Sequence, residues 1–407
     1  MIRPLFLDQS GALGGAELYL LDLARAYHPA GRVLLFDDGP FLDRLQAEGL
    51  SCEVLPAAQS LKAVRKQGGL GAYLRGLPGL AALVSQVAAQ ARRFDLIFAN
   101  TQKALVVGGL AGLLARRPVV WNLHDLLTTD HFSPLSLRAS VGAANWLTCH
   151  VIANSRASRS AYRAAGGATP ASVVYNGLDP APFDAISSHE VTALRTRLGL
   201  GEGPVIGVFS RLASWKGQHV LVEAVGRIRA LVERTGVQVL LVGDAMFEGD
   251  RAYAEALRAQ VEARGLADRV HFLGFRDDVP ALMRLCDVVV HTSTAPEPFG
   301  RVIVEGMLAE RPVVATAAGG ATEIVVDGRT GRLVPAGDPG ALATVLFELL
   351  DRPDDARRLG RAGALHARAT FGREPMLRGV GRILRATCPA PLGSFPPSAV
   401  KNTHPRG

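Results

Sequence analysis

Along this chain, compact runs of Val, Ile, Leu and Phe alternate with longer stretches whose apolar side chains recur every third or fourth position. The compact runs have the length and β-branched character of strands buried on both faces, and the longer stretches have the period of helices with one apolar side. In the first half the strand pattern falls at residues 5–8, 32–36, 96–100, 119–123, 151–153 and 173–175, and in the second at 205–209, 238–242, 270–273, 288–291, 312–316 and 331–334. Strands separated by helices pair in parallel, so the alternation predicts two α/β units, each a parallel sheet wrapped by helices. Residues 1–180 form the first unit and 204–371 the second. Between them, 181–203 has no strand pattern and, with its neighbours from Asn176, is rich enough in Pro and Gly to read as the linker. Helical periodicity continues through 339–351, 354–370 and 374–386, whereas 388–407, rich in Pro and Ser, reads as a disordered tail.

Open parallel sheets bind ligands beyond the carboxyl ends of their strands. In the first half those positions are Gln9-Ser10, Asn100-Thr101-Gln102, His124-Asp125, Asn154-Ser155 and Asn176-Gly177. In the second they are Ser210-Arg211, Gly243-Asp244, Gly274-Phe275, Thr292-Ser293-Thr294 and Ala317-Ala318-Gly319-Gly320. Both edges are polar or glycine-rich, and a cleft between them is the expected active site.

A chain of 407 residues with 48% hydrophobic and 20% charged side chains is an ordinary globular enzyme by composition. Its net charge of +8 favours anionic ligands or an anionic membrane surface, but runs such as Arg116-Arg117 lack the interleaved aromatics of a nucleic-acid face. The four cysteines, Cys52, Cys149, Cys286 and Cys388, are scattered without metal-ligand spacing and read as reduced thiols. The start of the chain enters a strand at once and has no charged-then-apolar leader, and the longest apolar runs, such as 104–115, are too short for a bilayer span of about 20 residues. A cytoplasmic protein is expected, with peripheral contact to the cytoplasmic membrane as an option.

Four groups of residues carry the chemistry. Gly14-Gly15-Ala16-Glu17 enters a helix and would let a phosphate approach backbone N–H groups, though a plain strand-to-helix turn has the same composition. Lys216 is one of only five lysines in a chain that otherwise uses arginine, which suits a compact ammonium gripping a phosphate. With Arg211, it lies on a loop where replacement by alanine is expected to leave the fold intact. Glu297, among Pro296, Pro298 and Gly300, and Glu305, among Val302, Ile303, Val304 and Met307, suit ligand hydroxyls, although either alone could simply favour a helix N-terminus. His124 follows the apolar strand 119–123; such a histidine is more often a bonded loop or core residue than a catalyst, and Asp125 could orient it or cap the next helix.

In order and spacing these pieces resemble glycosyltransferase family 4, whose members have the GT-B fold. The likeness also takes in Asn154-Ser155, Asn176-Gly177-Leu178-Asp179, Val242-Gly243, the stretch from Val270 to Gly274, and Gly319-Gly320 followed by Glu323. The resemblance implies an acceptor-binding first domain, a donor-binding second domain, and a last helix, about 372–387, packing back on the first. It implies that Arg211 and Lys216 hold a nucleotide sugar's diphosphate, Glu305 the ribose, and Glu297 the transferred sugar. Backbone groups of Gly15, Phe299 and Gly300 would approach sugar and phosphates, and the base would stack near Phe275 and Arg276. Gly14, Ser210, Gly243, Gly274, Arg301 and Val302 would complete the donor site, and Asn100, His124, Asp125 and Asn154 would lie near the sugar or acceptor. The implied reaction retains anomeric configuration and needs no cofactor or metal; the chain contains no D-x-D.

The nucleotide, whether UDP, GDP or ADP, stays open, as does the acceptor, a carbohydrate or lipid-linked molecule met by loops such as 126–138 and the basic-apolar region 62–93. Two rival readings remain: an isomerase resembling nucleotide-sugar 2-epimerases, and a non-catalytic nucleotide-sugar-binding subunit.

Overall fold

The structure is a computed structural model describing residues 2–56, 70–129, 132–246 and 248–388. The expected tail from 389 onward and the basic cluster at Lys62, Arg65 and Lys66 lie outside the described residues. The first sheet holds β1 (Pro4–Asp8), β2 (Arg32–Leu35), β3 (Cys52–Val54), β4 (Leu96–Ala99), β5 (Val119–Leu123), β6 (His150–Ala153) and β7 (Ala171–Val173). The second holds β8 (Val205–Phe209), β9 (Gln238–Val242), β10 (Val270–Gly274), β11 (Val288–His291), β12 (Val313–Thr316) and β13 (Arg332–Val334). Their orders are β3-β2-β1-β4-β5-β6-β7 and β10-β9-β8-β11-β12-β13, with every described pairing between named strands parallel. In both, the order reverses beside the first strand of the sheet, the switch point where such sheets open a crevice.

The central strands β1, β4, β5, β8, β9, β11 and β12 are buried at every position, which explains their largely apolar runs. Two strands differ from expectation. Strand β3 is only Cys-Glu-Val and half-buried at the sheet edge, so it lacks the apolar run that marks its neighbours. Strand β7 covers 171–173 rather than 173–175, because Tyr175 turns out of the sheet into an aromatic cluster with Phe299 and Phe371.

The stretch expected as a linker is folded. Helices Ala181–Asp184 and Ser188–Arg197 stand in it, the second closed by a reciprocal Ser187–Glu190 capping box. Phe183, Leu194 and Leu200 are buried in a core of the second sheet. The chain passes between the units twice, and the passages lie side by side: Leu178 N donates to Phe371 O at 2.9 Å and Arg373 N to Leu178 O at 3.1 Å. Gly177 permits this approach, since a Cβ there would stand 2.7 Å from Arg373 Cα. Beyond the second passage, helix Arg373–Thr387 buries Met376, Val380, Ile383 and Leu384 against Phe6, Tyr19 and Phe41 of the first unit.

Candidate active site

Loops at the carboxyl ends of β8 and β11 are stitched together around Lys216. Thr294 N donates to Trp215 O and Thr292 Oγ1 to Lys216 O, both at 2.8 Å. Gly217, at φ 71°, closes the short 3-10 turn Ser214–Lys216; a Cβ there would strike Thr292 O at 2.0 Å. Fully buried Gln218 holds the preceding residues by donating to Ser210 Oγ and Arg211 O, each at 2.9 Å, while Tyr253 Oη donates to its Oε1 at 3.0 Å.

Held this way, Lys216 Nζ stands 4.2 Å above the centre of the Trp215 ring and 2.5 Å from Glu297 Oε1. His291 Nε2 reaches the same oxygen at 2.9 Å and Ser293 Oγ donates to it as well. Burial would raise the Glu297 carboxyl, but His291 and Lys216 outweigh it and hold the group well below the usual carboxylate range. All three recorded bonds converge on Oε1, so Oε2 is the oxygen left to meet a ligand hydroxyl. The backbone around Glu297 is pinned too: Gly320 N donates to Glu297 O at 2.9 Å, and Gly319, at φ 58°, lies so close that a Cβ would sit 2.2 Å from that oxygen.

Gly300, at φ 101°, turns the chain into helix Arg301–Leu308. Arg301 Nε donates to Glu305 Oε1 at 2.8 Å, one helical turn on, and both side chains are partly exposed. Arg301 Nη1 is buried with no partner among the described residues. The Phe299 ring is buried beside Tyr175 and Phe371, so only its backbone can face a ligand, and Val302 packs partly on the core. Arg211 Nε lies 3.3 Å from Asp250 Oδ2, so the two expected diphosphate cations rest on different carboxylates. At the end of β10, Gly274 at φ 64° precedes Phe275, whose ring is 77% exposed. Arg276 is held by Asp278 through two bonds of 2.8 and 2.6 Å. Gly243, at φ 133°, passes so near Ser210 that a Cβ would meet its carbonyl oxygen at 2.1 Å.

The first unit contributes a ladder of polar side chains. Asn100 Nδ2 donates to Asp8 Oδ2 at 2.7 Å and to Ala16 O at 3.0 Å; Asn122 Nδ2 donates to Asn100 Oδ1 at 2.9 Å and approaches His124 Nε2 to 2.6 Å. His124 Nε2 also lies 3.0 Å from Asn100 Oδ1, so the ring nitrogen stands between an amide donor and an amide acceptor: it accepts from Asn122 in one tautomer and donates to Asn100 in the other. Burial lowers His124 to about 4, so the ring is neutral at pH 7, and the Tyr19 ring packs edge-on against it. Asn100 and Asn154 are both buried beside the histidine: Asn154 Nδ2 donates to His124 O at 3.3 Å and its Oδ1 accepts from Ser158 Oγ at 2.8 Å. Asp125 accepts from Gln102 Nε2 at 3.5 Å. Beneath the Gly14-Gly15 turn, Glu17 Oε2 accepts from Gly14 N at 3.0 Å, and burial together with the charge of Glu17 pushes Asp8 up to about 7.

The two edges meet. A Cβ placed on Gly15 would touch Arg301 Cδ of the second unit at 3.9 Å. Glu323, past the Gly319-Gly320 turn, reaches across to the first unit, accepting from Arg156 N and Ala157 N at 2.8 Å each and from Tyr175 Oη at 3.0 Å. Glu297, Lys216 and His124 were legible in the sequence, and Ser293 as one of the polar strand-end residues, but three residues that hold them, Asn122, Gln218 and His291, were not singled out. Asn122 and His291 had a legible signal, each a polar residue within an apolar strand run. Among the described residues no cluster of three or more His, Cys, Asp or Glu is placed to hold a metal.

Comparison with known proteins agrees with this architecture. Residues 13–182 match the family described as Glycosyltransferase Family 4, and residues 191–366 match Glycosyl transferases group 1. The crystal structure of Anabaena HepE in complex with UDP and glucose superposes with a TM-score of 0.85 at 42% identity, covering 95% of this chain and 100% of that one. The lipopolysaccharide core biosynthesis mannosyltransferase LpcC of Rhizobium leguminosarum is 30% identical over 295 residues, 72% of this chain and 78% of that protein. Several other relatives are matched over less than half their own length, among them the D-inositol 3-phosphate glycosyltransferase of Streptomyces coelicolor, 37% identical over 44% of this chain and 40% of that protein, whereas that of Stackebrandtia nassauensis is 29% identical over 90% of this chain and 86% of that protein. With two parallel sheets facing across a cleft and these likenesses over nearly its whole length, the chain belongs to glycosyltransferase family 4, the group 1 glycosyl transferases of GT-B fold.

Proposed function

We propose that the protein is a retaining hexosyltransferase that moves a sugar from a UDP-sugar to a carbohydrate or lipid-linked acceptor in cell-envelope glycan synthesis. The observation that carries this reading is Glu297, an ionised, buried carboxylate whose Oε1 is held by three donors while Oε2 is left for a sugar hydroxyl, beside the Lys216 ammonium. UDP is favoured as the nucleotide because the 42% identical HepE has been crystallised with UDP and glucose. In this reading Arg211, Lys216 and the backbone N–H groups of the turn into helix Arg301–Leu308 offset the charge of the departing diphosphate, each charge-assisted bond contributing about 1.5 to 3 kcal/mol. The orphaned Arg301 Nη1, near Gly15, donates to a donor oxygen. Glu305 bonds the ribose, the exposed Phe275 ring and Arg276 flank the base, and the neutral His124 meets the sugar near its anomeric carbon.

The bond from the anomeric carbon to the phosphate oxygen breaks, taking its electron pair with the nucleoside diphosphate. The acceptor oxygen bonds the same face, and its proton passes to the departing phosphate. Glu297 positions the sugar and is no nucleophile. The chain's own cations serve the leaving group, and a divalent metal is not required.

A thermal-shift panel of UDP-glucose, GDP-mannose and ADP-glucose tests the donor. At a hundred times its Kd a ligand stabilises by about 2.7 kcal/mol, a rise of several degrees, expected for UDP-glucose. Stabilisation by GDP-mannose alone would transfer the assignment to that nucleotide, and none by any of the three would sink it. Incubation with donor alone separates the rivals, since an isomerase yields an epimer where a transferase gives at most slow hydrolysis.

A further inference from the structure

The charge of this chain is concentrated on one part of it. Residues 54–178 hold thirteen Lys and Arg against three Asp and no Glu, a net of +10, so the remainder carries −2. Helices Leu70–Ala91, Gln102–Ala115 and Pro134–Leu147 lie side by side over one face of the first sheet, and not one contains Asp or Glu. The second and third of these helices also expose large apolar side chains. On helix Pro134–Leu147, Leu135 is 79% exposed and Trp146 86% exposed. Eleven residues apart, they fall three turns along the same side, with Arg138 exposed between them. On the adjoining helix Leu113 and Leu114 are exposed, and a shallow groove lined by Leu113, Arg116, Arg117 and Trp146 runs between the two helices with no carboxylate in its wall.

Exposed Trp and Leu interleaved with arginine is the composition of a surface that rests at a lipid–water interface, apolar rings below the headgroups and guanidinium groups at the phosphates. A second copy of this chain fits poorly, because a symmetric contact would set two cationic faces against each other. We propose that this helical face docks the protein on an anionic lipid bilayer. Helix Pro134–Leu147 starts past the carboxyl end of β5, so the Leu135 end of the stripe lies on the cleft side, and docking brings the cleft rim beside the membrane. The inference goes beyond the donor assignment, which stands or falls separately.

Co-sedimentation with vesicles tests it, using phosphatidylcholine mixed with phosphatidylglycerol against phosphatidylcholine alone. The protein should bind the mixed vesicles, release with added salt, and ignore neutral ones. Arg116→Gln with Arg117→Gln should weaken binding about thirtyfold, roughly fivefold for each arginine lost from an anionic surface. Trp146→Ser should weaken it further while leaving the UDP-glucose thermal shift unchanged, which shows that the variant is folded. Absence of binding to mixed vesicles, equal binding to neutral ones, or unchanged binding by the triple variant would overturn the proposal. So would a solution dimer that Trp146→Ser dissolves in a protein that leaves vesicles untouched.

Discussion

A lysine 2.5 Å from a buried glutamate cannot be removed without leaving that glutamate short of charge compensation. Lys216→Ala is therefore expected to destabilise the protein by about 3 kcal/mol, the scale of breaking a buried pair from one side. This corrects the expectation, drawn from its loop position, that Lys216 could be replaced without cost to the fold. Arg211→Ala, losing a partly exposed pair with Asp250, should cost at most about 1 kcal/mol yet lower transfer on the order of a hundredfold. Denaturant unfolding of both variants decides the matter, and equal losses would show that the Lys216–Glu297 pair is not structural. Two other residues set opposing pH dependences. Asp8, at about 7 in the fold against an ordinary 3.8, keeps a proton that the unfolded chain has lost, so its contribution to stability falls as pH rises through that window. His124, at about 4 against 6.5, makes the unfolded chain the better proton binder, so its contribution rises with pH from 4 to 6.5. Asp8→Asn removes the first slope. Relative to wild type, the variant should gain stability as pH rises from 4 to 7, by up to about 1.4 kcal/mol per unit, in urea titrations across that range; a pH-independent difference would contradict the assignment.

At the scale of elements, the site depends on turns that carry Glu297 and the helix after it. Gly274 and Gly319 both have left-handed φ, 64° and 58°, yet their surroundings differ. A Cβ on Gly274 meets nothing within 4 Å, whereas one on Gly319 collides with the Glu297 carbonyl oxygen at 2.2 Å. Gly274→Ala should cost about 1 to 2 kcal/mol, the strain of the conformation alone. Gly319→Ala should cost clearly more and also lower kcat, because the backbone that must yield is the one bearing Glu297. Melting temperatures and steady-state kinetics of the pair test this, and equal behaviour would refute the argument.

For the whole molecule, the cleft is kept by contacts between the two units. Glu323 accepts from the first free N–H groups of helix Arg156–Ala164, where a negative charge meets the helix dipole, and so ties the Gly319-Gly320 turn to the opposite unit. Glu323→Ala should speed amide exchange of Arg156 and Ala157 at least tenfold, a factor worth about 1.4 kcal/mol, with strands β1 and β9 unchanged. Unaltered exchange at those two amides would mean the contact does not hold the units together.

What the sequence by itself determined was the repeating order of strand and helix, the two sheets, the polar strand ends and the place of Glu297 and Lys216 among them. These are legible because a strand buried on both faces is mostly apolar, and because chemistry then collects where strands stop. Strand β3 escaped, since a half-buried edge strand carries no such run, and the helices at 181–197 escaped because their apolar contacts are few and widely spaced. Only the tertiary structure decided that Lys216 rests on Glu297, that the Asn100 and Asn122 amides rather than a carboxylate meet His124 Nε2, and that Glu323 caps a helix of the other unit. The first and third of these partners are 81 and 167 residues apart in the chain, and no local pattern separates them from alternatives equally distant. Folding selects them because each buried polar group must find a partner within hydrogen-bond reach, a condition set by the packing of whole elements.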